Sequence, residues 1–178
     1  GTMSTHKISQ AGLDFIKGFE SFVGYVYDDK RHAVKGKYPE WDGGPVWGTL
    51  TIGYGHTNAA KHPLKIKLGL RVTEAEACEI LDVDLDECES DVNACTTKAL
   101  TQGQFDALVS FTFNCGAGNL KTLVAPVNRG ERGDYARTRA NFDHYIRSKG
   151  EVMRGLQRRR DGEQVLWDAG DQNPPTEI

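Results

Sequence analysis

The sequence predicts an α+β fold, with a small β lobe near the N-terminus and a mainly helical remainder. Apolar residues between positions 10 and 20 recur every third position, which is typical of a short amphipathic helix. Aromatic and β-branched residues then dominate positions 21–27 and return at 49–55, and such residues favour strands. Helical patterns replace them beyond position 72.

Residue types that cap helices mark where the first helices begin. Ser9 precedes the first helix, predicted at 10–20, as its N-cap. Thr73 and Glu76 have the spacing of a capping box, and they begin a second helix that is predicted to extend to about Asn93.

The later helices are predicted in the same way. Thr101 caps a helix at 102–113 whose strongly apolar character is typical of a central core helix, and Gly116-Ala117-Gly118 stops it. Two further helices are predicted at 135–147 and 152–167.

A chain of 178 residues is long enough for one domain with a substantial core. The chain opens with Gly1-Thr2-Met3, which looks like a tag scar before an initiating Met, and no signal peptide is evident after it. The expected organisation is a tag scar and flexible N-terminus at 1–8, a single domain at 9–167 with a β lobe at 21–57 and a helical lobe at 72–167, and a flexible tail at 168–178.

Charge and hydropathy exclude two classes of function. The net charge is −3 with both signs interspersed, so the sequence has no basic stripe for nucleic acid. No apolar run approaches the roughly 18–20 residues that a membrane span needs. We therefore expect neither nucleic-acid binding nor a membrane span, and we expect a monomer.

The four cysteines, Cys78, Cys88, Cys95 and Cys115, fit no metal-binding spacing, and no metal or cofactor is expected. Reduced, buried thiols are the first interpretation, because free cysteine is among the most buried residue types. A Cys88–Cys95 disulfide is the other. It requires a bend, since a straight helix would hold the two Cα atoms about 10 Å apart, beyond bonding reach.

Glu20 and Asp29 are candidates for the two carboxyl groups that glycosidic cleavage typically needs, one protonated and one ionised. Glu20 lies among apolar residues, which favour the protonated form. Asp29 precedes basic residues at 30–32, whose positive charge favours the ionised form. The spacing alone is weak evidence, because 25 acidic residues supply many such pairs by chance.

A longer pattern makes this pair more specific. Eight residues separate Glu20 from Asp29, and Thr51 opens the string TIGYGH further along the chain. This pattern resembles the phage-type lysozymes, the glycoside hydrolases of endolysins. The similarity extends over most of residues 9–167, through parts of 12–20, 100–118 and 155–160.

The resemblance implies a lysozyme-like fold, and a muramidase that hydrolyses the β-1,4 bond between N-acetylmuramic acid and N-acetylglucosamine in bacterial peptidoglycan. Glu20 would be the general acid, Asp29 would position or deprotonate the attacking water, and Thr51 would hold that water, with inversion as the family expectation. Such an endolysin is made in the host cytoplasm and reaches the wall, in the periplasm of a Gram-negative host, after release by another factor.

An enlarged hairpin leaves the second acid open. Thr51 follows Asp29 by 22 positions where the family pattern has six, so about 16 additional residues enter the hairpin. Asp28 and Asp42 are therefore competitors of Asp29 for the second catalytic position.

The additional residues belong to the segment 30–48, which is predicted as an irregular loop or an extended hairpin. It is rich in cations and aromatic rings, including Trp41 and Trp47. These rings either clamp the glycan or simply pack over the β lobe.

The resemblance also assigns residues around the site. His56 is expected to orient the turn at the end of the second strand, with Asp84 as its ion-pair partner; a catalytic role for His56 is the second interpretation. Asn114 matches a substrate-contacting position, and an amide suits N-acetyl groups because it both donates and accepts hydrogen bonds. Alternatively, Asn114 caps the core helix.

The last predicted helix carries a group of arginines. They are expected on a solvated helix face, paired with Glu151 and Glu163; the group comprises Arg154, Arg158, Arg159 and Arg160. Contact with peptide-stem carboxylates is the second interpretation. For the whole chain, a lytic transglycosylase, a chitinase and an inactive wall-binding module remain alternatives to hydrolysis.

Overall fold

Helices dominate the structure, and the strands form two short antiparallel pairs. The computed structural model describes residues 6–172. Within that range the helices are α1 (Gln10–Glu20), α2 (Glu74–Cys95), α3 (Gln102–Cys115), α4 (Ala117–Val124), α5 (Tyr135–Asn141) and α6 (Arg154–Asp168), with a 3-10 turn at Phe142–His144. The strands are β1 (Val23–Asp28), β2 (Leu50–Gly53), β3 (Arg147–Ser148) and β4 (Glu151–Val152). The predicted α+β class is confirmed.

The predicted helix caps are present. The hydroxyl of Ser9 accepts a 3.2 Å hydrogen bond from the N–H of Gly12, and α1 has the predicted bounds. Thr73 and Glu76 form both bonds of the capping box, at 2.9 and 3.1 Å. Thr101 forms the same kind of box at the start of α3. Local hydrogen bonding therefore fixes where these helices begin.

The chain divides into two compact units. The hairpin unit comprises Lys17–Glu87 and contains β1, β2 and the segment between them. The helical unit comprises Gly1–Ile16 together with Cys88–Ile178, and its described part contains α3 to α6.

The core of the helical unit is built around α3. Phe105, Leu108 and Phe111 of this helix are fully buried, and even its polar residues are mostly inaccessible. The ring of Phe111 meets those of Phe142 and Tyr145 edge to face, at centroid distances of 5.6 and 4.8 Å. The prediction of a central core helix is confirmed, because a helix that is buried all round has to lie inside the packing.

Both ends of the described chain are tied to the helical unit. Ile8 was expected in a flexible N-terminus, but it is buried and its N–H donates to Glu89 at 2.8 Å. Asp171 was expected in the flexible tail, but it accepts the N–H of Gln102 at 2.9 Å. These carboxylates satisfy backbone donors that would otherwise need water. The remainder of the expected flexible ends, 1–5 and 173–178, lies outside the described residues.

The predicted helix at 135–147 is too long. α5 ends at Asn141, a 3-10 turn follows, and β3 pairs with β4 across Lys149 and Gly150. Both of these turn residues have positive φ, 52° and 82°. A two-residue hairpin turn of this kind requires positive φ at both central positions, and glycine favours it.

Gly116 ends α3, but the other two residues of the predicted stop, Ala117 and Gly118, already belong to α4. Gly116 is both the C-cap of α3 and the N-cap of α4, with φ of 88°. The left-handed region is available to glycine without strain, so one residue suffices to separate two helices.

In the hairpin unit, β1 and β2 pair antiparallel, with Tyr27 opposite Thr51. A tight turn follows β2, since Ile52 and His56 exchange two backbone hydrogen bonds of 2.9 Å. Gly53 within this turn has φ of 69°. The predicted strands at 21–27 and 49–55 are therefore confirmed in position, with the second shortened by this turn.

None of the four cysteines forms a disulfide, and α2 runs without interruption through Cys88 and Cys95. The bend that a disulfide between them requires is absent. Cys88 is buried, whereas Cys78, Cys95 and Cys115 are half-buried. The expectation of buried thiols thus holds fully for Cys88 alone.

Candidate active site

Glu20 is the last residue of α1 and is half-buried. The helix ends there because Ser21 adopts φ of 55°, while its N–H still binds the carbonyl of Lys17 at 2.9 Å. A left-handed residue directly after the last turn is a common helix stop. The two aromatic neighbours Phe19 and Phe22 are each 38% exposed, so the apolar surface around Glu20 is only partly closed to solvent.

Asp29 follows the end of β1 and is exposed. Its backbone N–H donates to the carbonyl of Thr49 at 3.1 Å, and its Oδ1 accepts the N–H of Thr49 at 2.8 Å. Among residues 6–172, Oδ2 accepts no hydrogen bond. One oxygen of Asp29 is therefore fixed by the strand, and the other faces solvent.

Thr51 lies in β2 and is buried. Its hydroxyl donates to the carbonyl of Thr49 at 3.0 Å. Since that proton is committed, the lone pairs of Oγ1 can accept a hydrogen bond from a bound molecule.

Tyr27 connects these residues, and it was not singled out from the sequence. It lies opposite Thr51, and it is two positions before Asp29, so all three side chains share one face of the hairpin. Burial raises the pKa of the Tyr27 hydroxyl, and the charges of Tyr38, Glu20 and Asp29 raise it further. Glu20 and Asp29 therefore lie in one electrostatic neighbourhood, around a hydroxyl that stays protonated. The period of two along a strand was the available signal.

Asp28 is buried, and its carboxylate binds backbone N–H groups. Only 2% of it is exposed, and its two oxygens accept the N–H groups of Lys30, Trp47 and Gly48 at 3.0, 2.6 and 3.0 Å. Burial alone would raise the pKa of the Asp28 carboxyl, but these backbone bonds and the charge of Arg31 hold it below its usual value. Asp28 thus closes the base of the enlarged hairpin.

Asp42 lies in the enlarged hairpin and is exposed. Its Oδ1 accepts the N–H of Gly44, two residues on, at 2.9 Å. This is a local turn bond. It gives Asp42 no link to Thr51 or Tyr27.

The enlarged hairpin, residues 30–48, is irregular as predicted, with one small turn where Val34 and Lys37 pair. It leans on β1, because the N–H of Trp41 donates to the carbonyl of Val26 at 2.7 Å. The ring of Tyr38 stacks on Tyr27 with centroids 4.4 Å apart. The enlarged hairpin therefore contacts Tyr27, the tyrosine whose pKa is raised by Glu20 and Asp29.

His56 and Asp84 form the pair that was expected. Their Nδ1 and Oδ2 atoms are 2.8 Å apart in a buried setting, and Nε2 lies 2.8 Å from the carbonyl of Leu64. A carboxylate and a carbonyl can only accept, so His56 donates to both in its protonated form, with a proton on each ring nitrogen. Burial opposes the charge on His56, but the bonds to Asp84 and Leu64 prevail and raise its pKa. This pair fixes the loop that follows β2.

Asn114 belongs to the helical unit, on the last turn of α3, and is exposed. Its Oδ1 accepts a 2.8 Å hydrogen bond from Arg160. Among the described residues its amide NH₂ donates to no partner. The expected capping of α3 by this side chain is not seen, because the N–H of Gly116 binds the backbone carbonyl of Thr112 instead.

The expected solvated arginine face is wrong for two of its members. Arg159 and Arg160 are buried, and Arg160 lies 2.7 Å from the carboxylate of fully buried Glu163. Ser110 donates to the same carboxylate at 2.6 Å. Positions 159, 160 and 163 face α3, so a buried network replaces the surface pairs. Periodicity could have revealed this, since α6 also buries Trp167 four positions after Glu163.

Residues 6–172 lack two features that would indicate another kind of function. No three side chains of His, Cys, Asp or Glu gather where they could hold a metal ion. No helix has both the length and the apolar character to cross a membrane.

The sequence matches the phage lysozyme family model over residues 17–163. An endolysin of Bacillus phage B103 is 34% identical over 166 residues, which cover 92% of this chain and 55% of the relative. An endolysin of Acyrthosiphon pisum secondary endosymbiont phage 1 is 31% identical, over 91% of this chain and 98% of the relative. The chain thus spans little more than half the length of the Bacillus phage relatives.

Solved structures resemble the fold. An endolysin from Escherichia coli O157:H7 phage FAHEc1 has a TM-score of 0.71 and 27% identity, with 94% of each chain covered. The muramidase domain of SpmX from Asticaccaulis excentricus has a TM-score of 0.69 and 32% identity, over 91% of this chain and 97% of that domain. These likenesses confirm the predicted lysozyme-like fold. The family model covers most of the chain, and the endolysins share about a third of its residues over some nine-tenths of its length. The chain therefore belongs to the phage lysozyme family.

Proposed function

We propose that this protein hydrolyses the β-1,4 bond between N-acetylmuramic acid and N-acetylglucosamine in bacterial peptidoglycan, with inversion at the anomeric carbon. Its place in the phage lysozyme family supports this substrate. The observation that carries the proposal is the shared neighbourhood of Glu20 and Asp29 around Tyr27. Glycosidases need two such carboxyl groups near one bond.

The two carboxyl groups take different roles. Glu20 protonates the glycosidic oxygen as the bond from that oxygen to the anomeric carbon breaks. A water attacks the same carbon, and Asp29 accepts the proton that this water loses. Solvent then returns Asp29 and Glu20 to their starting forms. The free Oδ2 of Asp29 suits this task, because Oδ1 is held by Thr49.

Thr51 positions the attacking water. Its hydroxyl proton is committed to the carbonyl of Thr49, so Oγ1 accepts one hydrogen of the water. The other hydrogen then points to Asp29. Two acceptors aimed at one water fix its lone pair toward the sugar, which lowers the entropy cost of the attack.

Asn114 contacts the substrate in this proposal. Its carbonyl oxygen is held by Arg160, which leaves the NH₂ group to donate to an acetamido carbonyl of the glycan. The hydroxyl of Tyr27 stays neutral in this neighbourhood, because burial and the two carboxylates raise its pKa.

Clearing of a bacterial cell-wall suspension tests the reaction. We expect Glu20→Gln to lower the rate roughly 10²–10⁴-fold, the usual contribution of a general acid. Glu79→Gln, the same change at an exposed position of α2, is the control and should clear like the parent. Equal rates for the parent and Glu20→Gln would refute the assignment.

Product chemistry separates hydrolysis from the alternatives. Hydrolysis yields reducing ends, and inversion yields the α anomer first in time-resolved proton NMR. A lytic transglycosylase would leave anhydro ends, because a sugar hydroxyl replaces water. The presence of Asp29 and Thr51 favours water as the nucleophile. A wall-binding module would release neither product.

A further inference from the structure

Trp47 presents the most exposed aromatic ring in the enlarged hairpin. It is 64% exposed, whereas Trp41 in the same segment is half-buried. Trp41 also satisfies its indole N–H at the carbonyl of Gly44, at 2.9 Å. Trp41 is therefore part of the packing of the hairpin, and its indole N–H is already used in a hydrogen bond. Among residues 6–172, the indole N–H of Trp47 donates to no partner.

The backbone at Trp47 is held firmly in place. The buried carboxylate of Asp28 accepts the N–H groups of Trp47 and Gly48. A Cβ at position 48 would overlap the Asp29 carboxylate and the side chain of Lys30, so only glycine fits there. This close approach places Gly48, the residue after Trp47, against the proposed second acid. An exposed ring on a fixed backbone loses little freedom when it binds.

One face of the Trp47 ring is already covered. The guanidinium of Arg31 lies 3.2 Å from the ring centroid and is anchored to the carbonyl of Pro45 at 2.9 Å. This stacking orients the indole, and it leaves the opposite face for a ligand. The covering cation also disfavours a positively charged ligand at this site.

The ligand that suits such a surface is a flat, partly apolar and uncharged ring with a hydrogen-bond acceptor. A pyranose offers its C–H face to an indole, and an acetamido carbonyl can accept the indole N–H. We propose that Trp47 is a stacking platform for an N-acetylated sugar of the glycan strand, on the enlarged hairpin between Asp29 and Thr51. This inference rests on the proposed function, and it gives the enlarged hairpin a role in holding substrate.

Binding of the N-acetylglucosamine tetramer tests the platform. All variants are made in the Glu20→Gln protein, so that cleavage does not interfere. We expect Trp47→Ala to raise Kd roughly tenfold and Trp47→Phe, which keeps a ring, to bind almost as well as the parent. Val46→Ala, at an exposed neighbour in the same hairpin, should leave Kd unchanged. The tetramer should also change the tryptophan fluorescence of the parent, and Trp47→Phe should lose that change.

Two results would overturn the platform. One is a Kd for Trp47→Ala equal to that of the parent. The other is a Trp47-dependent affinity for free stem peptide together with a Trp47-independent affinity for the tetramer. Wall clearing by the protein with Glu20 intact is measured separately. Sugar binding that depends on Trp47 without any clearing would refute hydrolysis and leave the platform standing.

Discussion

The buried carboxylate of Asp28 accepts a 2.6 Å hydrogen bond from the backbone N–H of Trp47, across the whole enlarged hairpin. Both oxygens of Asp28 are used in this way, on three N–H groups. Its neighbour Asp29 has one oxygen bound to Thr49 and the other open to solvent. Two adjacent carboxylates thus have separate environments, one suited to structure and one to chemistry.

Asp28→Asn is predicted to loosen the enlarged hairpin. An amide NH₂ would face backbone N–H donors, and an unmatched donor pair in a buried site is unfavourable. We expect a lower Tm and a red-shifted tryptophan emission. The pKa of Asp28 is lowered in the fold, so its stabilisation is present above the ordinary aspartate pKa and is lost as pH falls through the folded value. An unchanged Tm above pH 5 in Asp28→Asn would contradict this.

Asp29→Asn is predicted to abolish wall clearing while the fold survives. The exposed side chain would keep its Oδ1 bond to Thr49, so the Tm should stay near that of the parent. Loss of the proton acceptor should lower the rate roughly 10²–10⁴-fold. Asp42→Asn is the matched control, since Asp42 forms only a local turn bond. A large loss in Asp42→Asn with activity retained in Asp29→Asn would reverse the assignment.

The His56–Asp84 pair predicts a pH-dependent contribution to stability. The pKa of His56 is raised above its unfolded value, so its stabilisation is complete below about pH 6.5 and is lost as pH rises through the folded pKa. Asp84→Asn removes the counter-charge of a buried imidazolium and should cost roughly 3–5 kcal/mol at pH 5.5. The difference in unfolding free energy between parent and variant should shrink toward pH 9.

Urea unfolding at several pH values measures this difference. His32→Gln, at an exposed histidine, is the control and should leave the pH dependence intact. A difference between the parent and Asp84→Asn that stays constant from pH 5.5 to 9 would show that the pair does not titrate in this range.

The buried pair of Arg160 and Glu163 predicts strong coupling between its partners. Glu163→Gln leaves the guanidinium of Arg160 without a counter-charge, which should cost roughly 3–5 kcal/mol of unfolding free energy. The double variant Arg160→Met with Glu163→Leu should be less destabilised than the sum of the single changes. A double-mutant cycle from denaturant unfolding measures the coupling. Additive losses would mean that the two charges do not stabilise each other.

Much of the fold was predictable from local patterns. Ser9, Thr73 and Thr101 marked helix starts correctly, because a cap bonds to backbone groups only two or three residues away. The helix predicted at 135–147 is too long, because the turn that follows it has no such local signal in the sequence. Lys149 takes a positive φ that its residue type does not announce, and the β3–β4 hairpin depends on it.

The candidate site was predictable only in part. The spacing of Glu20, Asp29 and Thr51 and the pairing of His56 with Asp84 were predicted from the family pattern. The location of Tyr27 near the two acids was not predicted, because it depends on which charged residues the fold brings near its hydroxyl. The buried places of Arg159 and Arg160 were missed as well, since arginine is usually solvated and only packing against α3 makes it otherwise.

By itself, the sequence determined the α+β class and the helix starts, and it limited the candidates for the second acid to Asp29, Asp28 and Asp42. These depend on residue type and on short spacings, which act over one or two turns of chain. The tertiary structure alone distinguished Asp28 from Asp29 and Trp41 from Trp47. Adjacent or identical residue types differ there only in burial and hydrogen bonding, and both are set by residues that are distant in the chain.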